Sequence, residues 1–94
     1  MPESSEATII LAGDLHARPA GALAVAAGQF TSTVQVSVTG GGGGGQADAK
    51  SVLAVMQLGA SSGQQVTVRA VGPDAEQAVR TLAGILSSVS KVGD

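Results

Sequence analysis

A chain of 94 residues is long enough for one compact domain and too short for two. It is 44% hydrophobic and 1% aromatic, with Phe30 the sole aromatic ring besides the imidazole of His16, so the core must come from Val, Leu, Ile, Ala and Met. The net charge is -2, and the five basic residues, Arg18, Lys50, Arg69, Arg80 and Lys91, stand singly; this excludes the basic stripe and stacking rings of a nucleic-acid binder.

The lack of cysteine excludes disulfide frameworks, thiolate catalysis and zinc ribbons, and it fits a cytoplasmic setting. One histidine and scattered carboxylates do not supply a metal cluster. The opening "MPESSEA" is acidic and polar where a signal peptide is basic and then apolar, and the longest apolar runs fall far below the ~20 residues of a membrane span. The expectation is a cytoplasmic protein with no metal, no cofactor and no membrane insertion. It should have a flexible tail over residues 1–6 and a single domain over 7–94.

In chain order, "ATIILA" (Ala7 to Ala12) is a β-branched apolar run bounded by Gly13 and reads as a buried strand. From His16 the period changes. Ala20, Leu23, Ala24 and Ala27 fall at helical spacing, and Gly28 offers a stop. "TVQVSVT" (Thr33 to Thr39) alternates strictly, with Val34, Val36 and Val38 on one face, and predicts a strand with one wet side.

Gly40 to Gly45 follow, and a run of glycines has no side chains to bury and a large entropy loss on ordering, so a mobile loop is expected. A phosphate-binding loop is excluded because Ala49, not glycine, precedes Lys50-Ser51. Ser51 is placed to cap a two-turn helix carrying Val52, Leu53, Val55 and Met56 and ending at Gly59. "QQVTVRAV" (Gln64 to Val71) alternates again. "GPDAEQ" gives a turn with Asp74 as helix cap, and Ala75, Ala78, Val79, Leu82, Ile85, Leu86 and Val89 form the most regular amphipathic stripe, weakened by Gly84. The order β-α-β-β-α-β-α, with polar faces on the second and last strands, predicts an α+β open-faced β-sandwich: an antiparallel sheet with three helices on one face.

If the first helix starts at His16, then Ala17, Arg18 and Pro19 form its opening turn, where the first backbone N–H groups have no internal partner and proline is tolerated. The N–H groups of Ala17 and Arg18, the positive end of the helix and the Arg18 guanidinium then converge on a volume suited to an anion such as phosphate. An imidazole neutral near pH 7 is a competent nucleophile toward phosphorus, and the same positive surroundings stabilise an attached dianion. Residue types alone leave two readings open, a surface or capping histidine and a phosphoryl relay.

The stretch "LHARPAGALAVAAGQF" resembles the active-site helix of HPr, the histidine-containing phosphocarrier family of the bacterial phosphoenolpyruvate-dependent sugar phosphotransferase system. "KSVLAVMQLGASSGQQVTVRAVGPDAEQAV" resembles the second half of the same family, and together the two cover nearly the whole chain. The resemblance implies the open-faced sandwich and a reaction. His16 takes a phosphoryl group on Nδ1 from enzyme I, charged by phosphoenolpyruvate, and passes it to enzyme II A domains of sugar permeases, with Arg18 steadying the phosphate. It further implies a docking surface of Ala17, Gly21, Val52, Leu53 and Met56, a monomeric state, and Ser51 as a regulatory site for a dedicated HPr kinase/phosphorylase.

Two features depart from the family's pattern. Asp14 stands where the family usually has glycine, so a negative charge lies near the phosphate, either weakening phosphoryl binding or holding Arg18 in the free state. The glycine run replaces the usual polar hairpin and third strand, predicting a short or frayed edge. Other readings are a carrier serving dihydroxyacetone kinase or nitrogen-related phosphotransfer, and a regulatory interaction protein acting through Ser51.

Overall fold

The computed structural model describes residues 3–15, 17–39 and 45–89. Its elements are β1 (Ser4–Ile10), α1 (Ala17–Ala27), β2 (Thr33–Thr39), β3 (Gly45–Asp48), α2 (Val52–Gln57), β4 (Gln65–Val71) and α3 (Ala75–Ser87). The four strands form one sheet in the order β1-β4-β2-β3, and every pairing is antiparallel. Helices α1 and α2 therefore each join two parallel strands that a third strand separates, which is the split β-α-β connection.

Alternation decides which side of the sheet is covered. Val34, Val36 and Val38 of β2 and Val66, Val68 and Ala70 of β4 all point to one face and are buried, directly opposite one another in register. Onto this face pack Ala20, Leu23 and Ala27 of α1, Val55 of α2, and Ala75, Ala78, Leu82 and Leu86 of α3, all in one hydrophobic cluster. On the other face Glu6, Arg69, Gln35 and Asp48 stand in one cross-strand row and are exposed, as a sheet with one wet side requires. The expected open-faced sandwich and element order are what the chain forms.

Several local expectations are corrected. β1 is not a buried strand over Ala7 to Ala12. It runs from Ser4 to Ile10 along the sheet edge, Ala7 and Ile9 are half-buried, and Ile10 points to the open face at 64% exposure. Ser4, Ser5 and Glu6, expected in a flexible tail, pair with Val71, Ala70 and Arg69, because ladder hydrogen bonds are made by the backbone whatever the side chain. Met1 and Pro2 lie outside the described residues.

The glycine run is not wholly loop, since Gly45 is the first residue of β3 and pairs with Val38; the expected short edge strand exists, and Gly40–Gly44 lie outside the described residues. β4 starts at Gln65 rather than Gln64, whose backbone closes a tight turn by donating to the Ser61 carbonyl at 3.0 Å.

Asp74 occupies the N-cap position of α3, yet its side chain makes no cap hydrogen bond. Its carboxylate instead accepts from the Thr31 and Ser32 N–H groups at 3.0 and 2.9 Å and from the Ser32 hydroxyl, and that hydroxyl accepts from the Asp74 N–H at 3.2 Å. Ser32 is the one buried polar residue among those described, and this reciprocal knot satisfies it. The Ser32 hydroxyl, then the Thr31 N–H, hold the Asp74 carboxyl down from 3.8 to about 2.

Candidate functional site

α1 begins at Ala17, so the backbone passes from β1 through residues 11–15 into the helix with His16 immediately before its first residue in the chain. His16 itself lies outside the described residues. Leu15 is buried, and its N–H donates to the Ala60 carbonyl at 2.9 Å, fixing the chain on that side; Pro19 is buried on the other. A proline in the first turn loses no intrahelical bond. The N–H groups of Ala17 and Arg18 find no acceptor among the described residues, so the helix start presents two open donors and the positive end of its dipole.

Arg18 is exposed and has no acidic partner among the described residues, where the ion pair formed is Arg80 with Glu76 on α3. It lines a cleft of about 200 Å3 with Pro19 and Ala22 of α1 and with Ile85, Ser88 and Val89 at the end of α3. Asp14 and Arg18, expected as one alternative to pair in the free state, form no ion pair among the described residues. The Asp14 carboxylate accepts from the Ser62 N–H at 3.0 Å, and so is tied to the turn after α2 instead.

Ser51 caps α2 as expected: its hydroxyl accepts from the Ala54 N–H at 3.2 Å, and the residue remains half-exposed. Only Val55 of this helix is buried, which leaves Leu53 67%, Met56 42% and Val52 40% exposed. On α1, Ala17 is exposed and Gly21 half-exposed. Val25 continues their row at the next i+4 position and is 68% exposed, a residue the sequence did not single out. Its signal was available, since the helix stripe through Ala20, Leu23, Ala24 and Ala27 leaves Val25 on the opposite side. α1 and α2 pack against each other, so both helices carry apolar surface on the layer that also holds the start of α1.

An open-faced sandwich whose helix layer presents a buried-proline helix start, with amide donors and a guanidinium that have no partner among the described residues, beside exposed aliphatic side chains, is the class of small phosphocarrier domain. The family described as PTS HPr component phosphorylation site matches residues 3–88, and the chain belongs to the HPr family of phosphocarriers in the phosphotransferase system. It is similar to a phosphocarrier protein HPr of Cupriavidus necator, 39% identical over 83 residues that cover 88% of this chain and 89% of that one. It is 37% identical over 90 residues to a multiphosphoryl transfer protein of Xanthomonas campestris, covering 96% of this chain and 10% of that protein. A solved Mycoplasma histidine-containing phosphocarrier protein superposes with a TM-score of 0.73 at 31% identity, covering 88% of this chain and 90% of the other. Proteins of this family work with other phosphotransferase components.

Proposed function

We propose that this chain is a single-domain, monomeric carrier in which His16 accepts a phosphoryl group from phospho-enzyme I and passes it to enzyme II A domains in sugar uptake. The observation that carries this reading is the start of α1 at Ala17, one residue after the sole histidine, in a chain whose family match spans residues 3–88. The Nδ1 lone pair of the neutral imidazole attacks phosphorus. The donor's bond to phosphorus breaks, its electron pair stays with the donor, and the Nδ1–P bond forms. The Ala17 and Arg18 N–H groups and the Arg18 guanidinium hold the transferred dianion.

Ala17, Gly21, Val52, Leu53 and Met56 form the docking surface, to which Val25 is added. It is a small apolar patch, suited to partners that must bind weakly and leave quickly. Ser51 is a regulatory site for an HPr kinase/phosphorylase. A phosphate there sits at the N-terminus of α2, where its oxygens can still accept from the helix amides, yet it adds about two negative charges to the face on which partners dock.

Incubation with enzyme I and phosphoenolpyruvate, followed by mass spectrometry, tests the reading. One acid-labile phosphoryl group is expected on the parent protein and none on His16→Ala. A parent that gains no mass from an enzyme I competent on its own carrier overturns it.

A further inference from the structure

Residues 11–15, which lead into the site, are stitched to the turn between α2 and β4. Leu11 donates to the Gln64 carbonyl at 3.0 Å, Gly63 to the Leu11 carbonyl at 2.8 Å, and Leu15 to the Ala60 carbonyl at 2.9 Å. These backbone bonds are open to any sequence. Two further bonds depend on residue type: the Ser62 N–H donates to Asp14 Oδ1 at 3.0 Å, and the Ser62 hydroxyl donates to the Ala12 carbonyl at 3.1 Å. A glycine at position 14 could not accept the first. The bond from Asp14 therefore fastens the residue next to Leu15, on the exposed side of the chain, while Leu15 anchors the buried side.

Asp14 also brings a charge. It stands two residues before His16, and Cα atoms two residues apart are separated by no more than about 7 Å. Only one carboxylate oxygen has a hydrogen-bond partner among the described residues, and that partner is a neutral amide, so no described cation cancels the charge. At a separation of about 8 Å in a water-like medium, a unit charge disfavours a dianion by about sixfold without salt and by about twofold at physiological salt.

We propose that Asp14 is a positioning residue for phosphoryl transfer. Its carboxylate straps the segment before His16 to the Ser62 turn, and its charge makes the phosphoryl group easier to give away. This rests on the phosphocarrier reading above.

Two substitutions separate the strap from the charge. Asp14→Asn keeps an oxygen that accepts from Ser62 and removes the charge. Ser62→Pro removes the donor and keeps the charge. It is compatible with the fold because Ser62 precedes Gly63, at φ 89, in a Ser61–Gln64 turn closed by the Gln64 N–H, and proline suits the second position of such a type II turn. Ser62→Ala controls for loss of the hydroxyl. The rate of phosphoryl uptake from enzyme I and the equilibrium distribution between the two proteins are measured for each.

Asp14→Asn should take up the group at the parent's rate, shift the equilibrium toward the phosphorylated carrier by about sixfold without salt and about twofold at physiological salt, and lose that shift as salt is raised further. Ser62→Pro should slow uptake about threefold or more beyond Ser62→Ala, with the equilibrium within twofold of that control. An unshifted equilibrium in Asp14→Asn, or Ser62→Pro taking up phosphate as fast as Ser62→Ala, overturns the proposal while leaving the carrier reading intact. A parent that accepts nothing overturns both.

Discussion

Gly72→Ala adds a Cβ at the described glycine that has the least room for one. Gly72 has φ 145, a conformation that L side chains rarely adopt, and holding alanine there costs about 1–3 kcal/mol. Its Cβ would stand 2.5 Å from the Ser32 hydroxyl, 2.7 Å from Ser32 Cα and 2.9 Å from Ser32 Cβ. The hydroxyl cannot swing aside without breaking its bonds to Asp74, and the Cα is backbone, so relief requires moving the turn, at about 1–3 kcal/mol more.

The sum, about 2–6 kcal/mol, is a large part of the 5–15 kcal/mol that holds a typical domain together. At about 4–8 °C per kcal/mol for a domain of this size, Tm should fall by at least about 8 °C. Thermal unfolding followed by far-ultraviolet circular dichroism reads the change. Gly84→Ala is the internal comparison: it lies inside α3 with nothing within 4 Å of an added Cβ, and should stabilise by about 1 kcal/mol. A Gly72→Ala protein that melts within about 3 °C of the parent would show that the Ser32–Asp74 knot does not constrain the turn as described.

Ser51→Ala removes the hydroxyl that accepts from Ala54 and should destabilise by about 1 kcal/mol in urea titration, while leaving phosphoryl uptake at His16 unchanged. Leu53→Asp replaces an exposed side chain, so Tm should move by less than about 3 °C. The enzyme I concentration needed for half-maximal transfer should nonetheless rise about tenfold, read from initial rates. The Asp74 carboxyl is held below its unfolded value of 3.8, so its contribution to stability is complete above that pH and is lost as pH falls through about 2. The difference in urea midpoint between the parent and Asp74→Asn should therefore be constant above about pH 5 and shrink as pH falls from 3.8 toward 2.

β2, the inner face of β4 and the stripe of α3 were legible because burial on one side imposes a period on the side chains themselves. β2 was expected with the ends it has, and Val66, Val68 and Ala70 face the core as their alternation required. The helix after His16 and the Ser51 cap were legible for a related reason: each depends on residues within one turn of one another. What escaped depends on the backbone or on distant partners. Ser4 to Glu6 join β1 through main-chain hydrogen bonds that leave no mark on side-chain type, and Gly45 enters β3 the same way. Asp74 has the residue type and place of a cap, but it bonds to Thr31 and Ser32, 43 and 42 residues earlier in the chain. Asp14 looked like a partner for Arg18, four residues on. It met Ser62, 48 residues away, because the fold lays the Ser61–Gln64 turn against residues 11–15.

Since His16 is the sole imidazole in the chain, its ring nitrogens can be followed by nuclear magnetic resonance without ambiguity, and this measurement reaches the central claim most directly. On adding enzyme I and phosphoenolpyruvate to nitrogen-15-labelled protein, the Nδ1 resonance should shift and acquire coupling to phosphorus while Nε2 keeps its proton. Ring signals that stay unchanged while the protein gains a phosphoryl mass would place the group elsewhere and contradict the account.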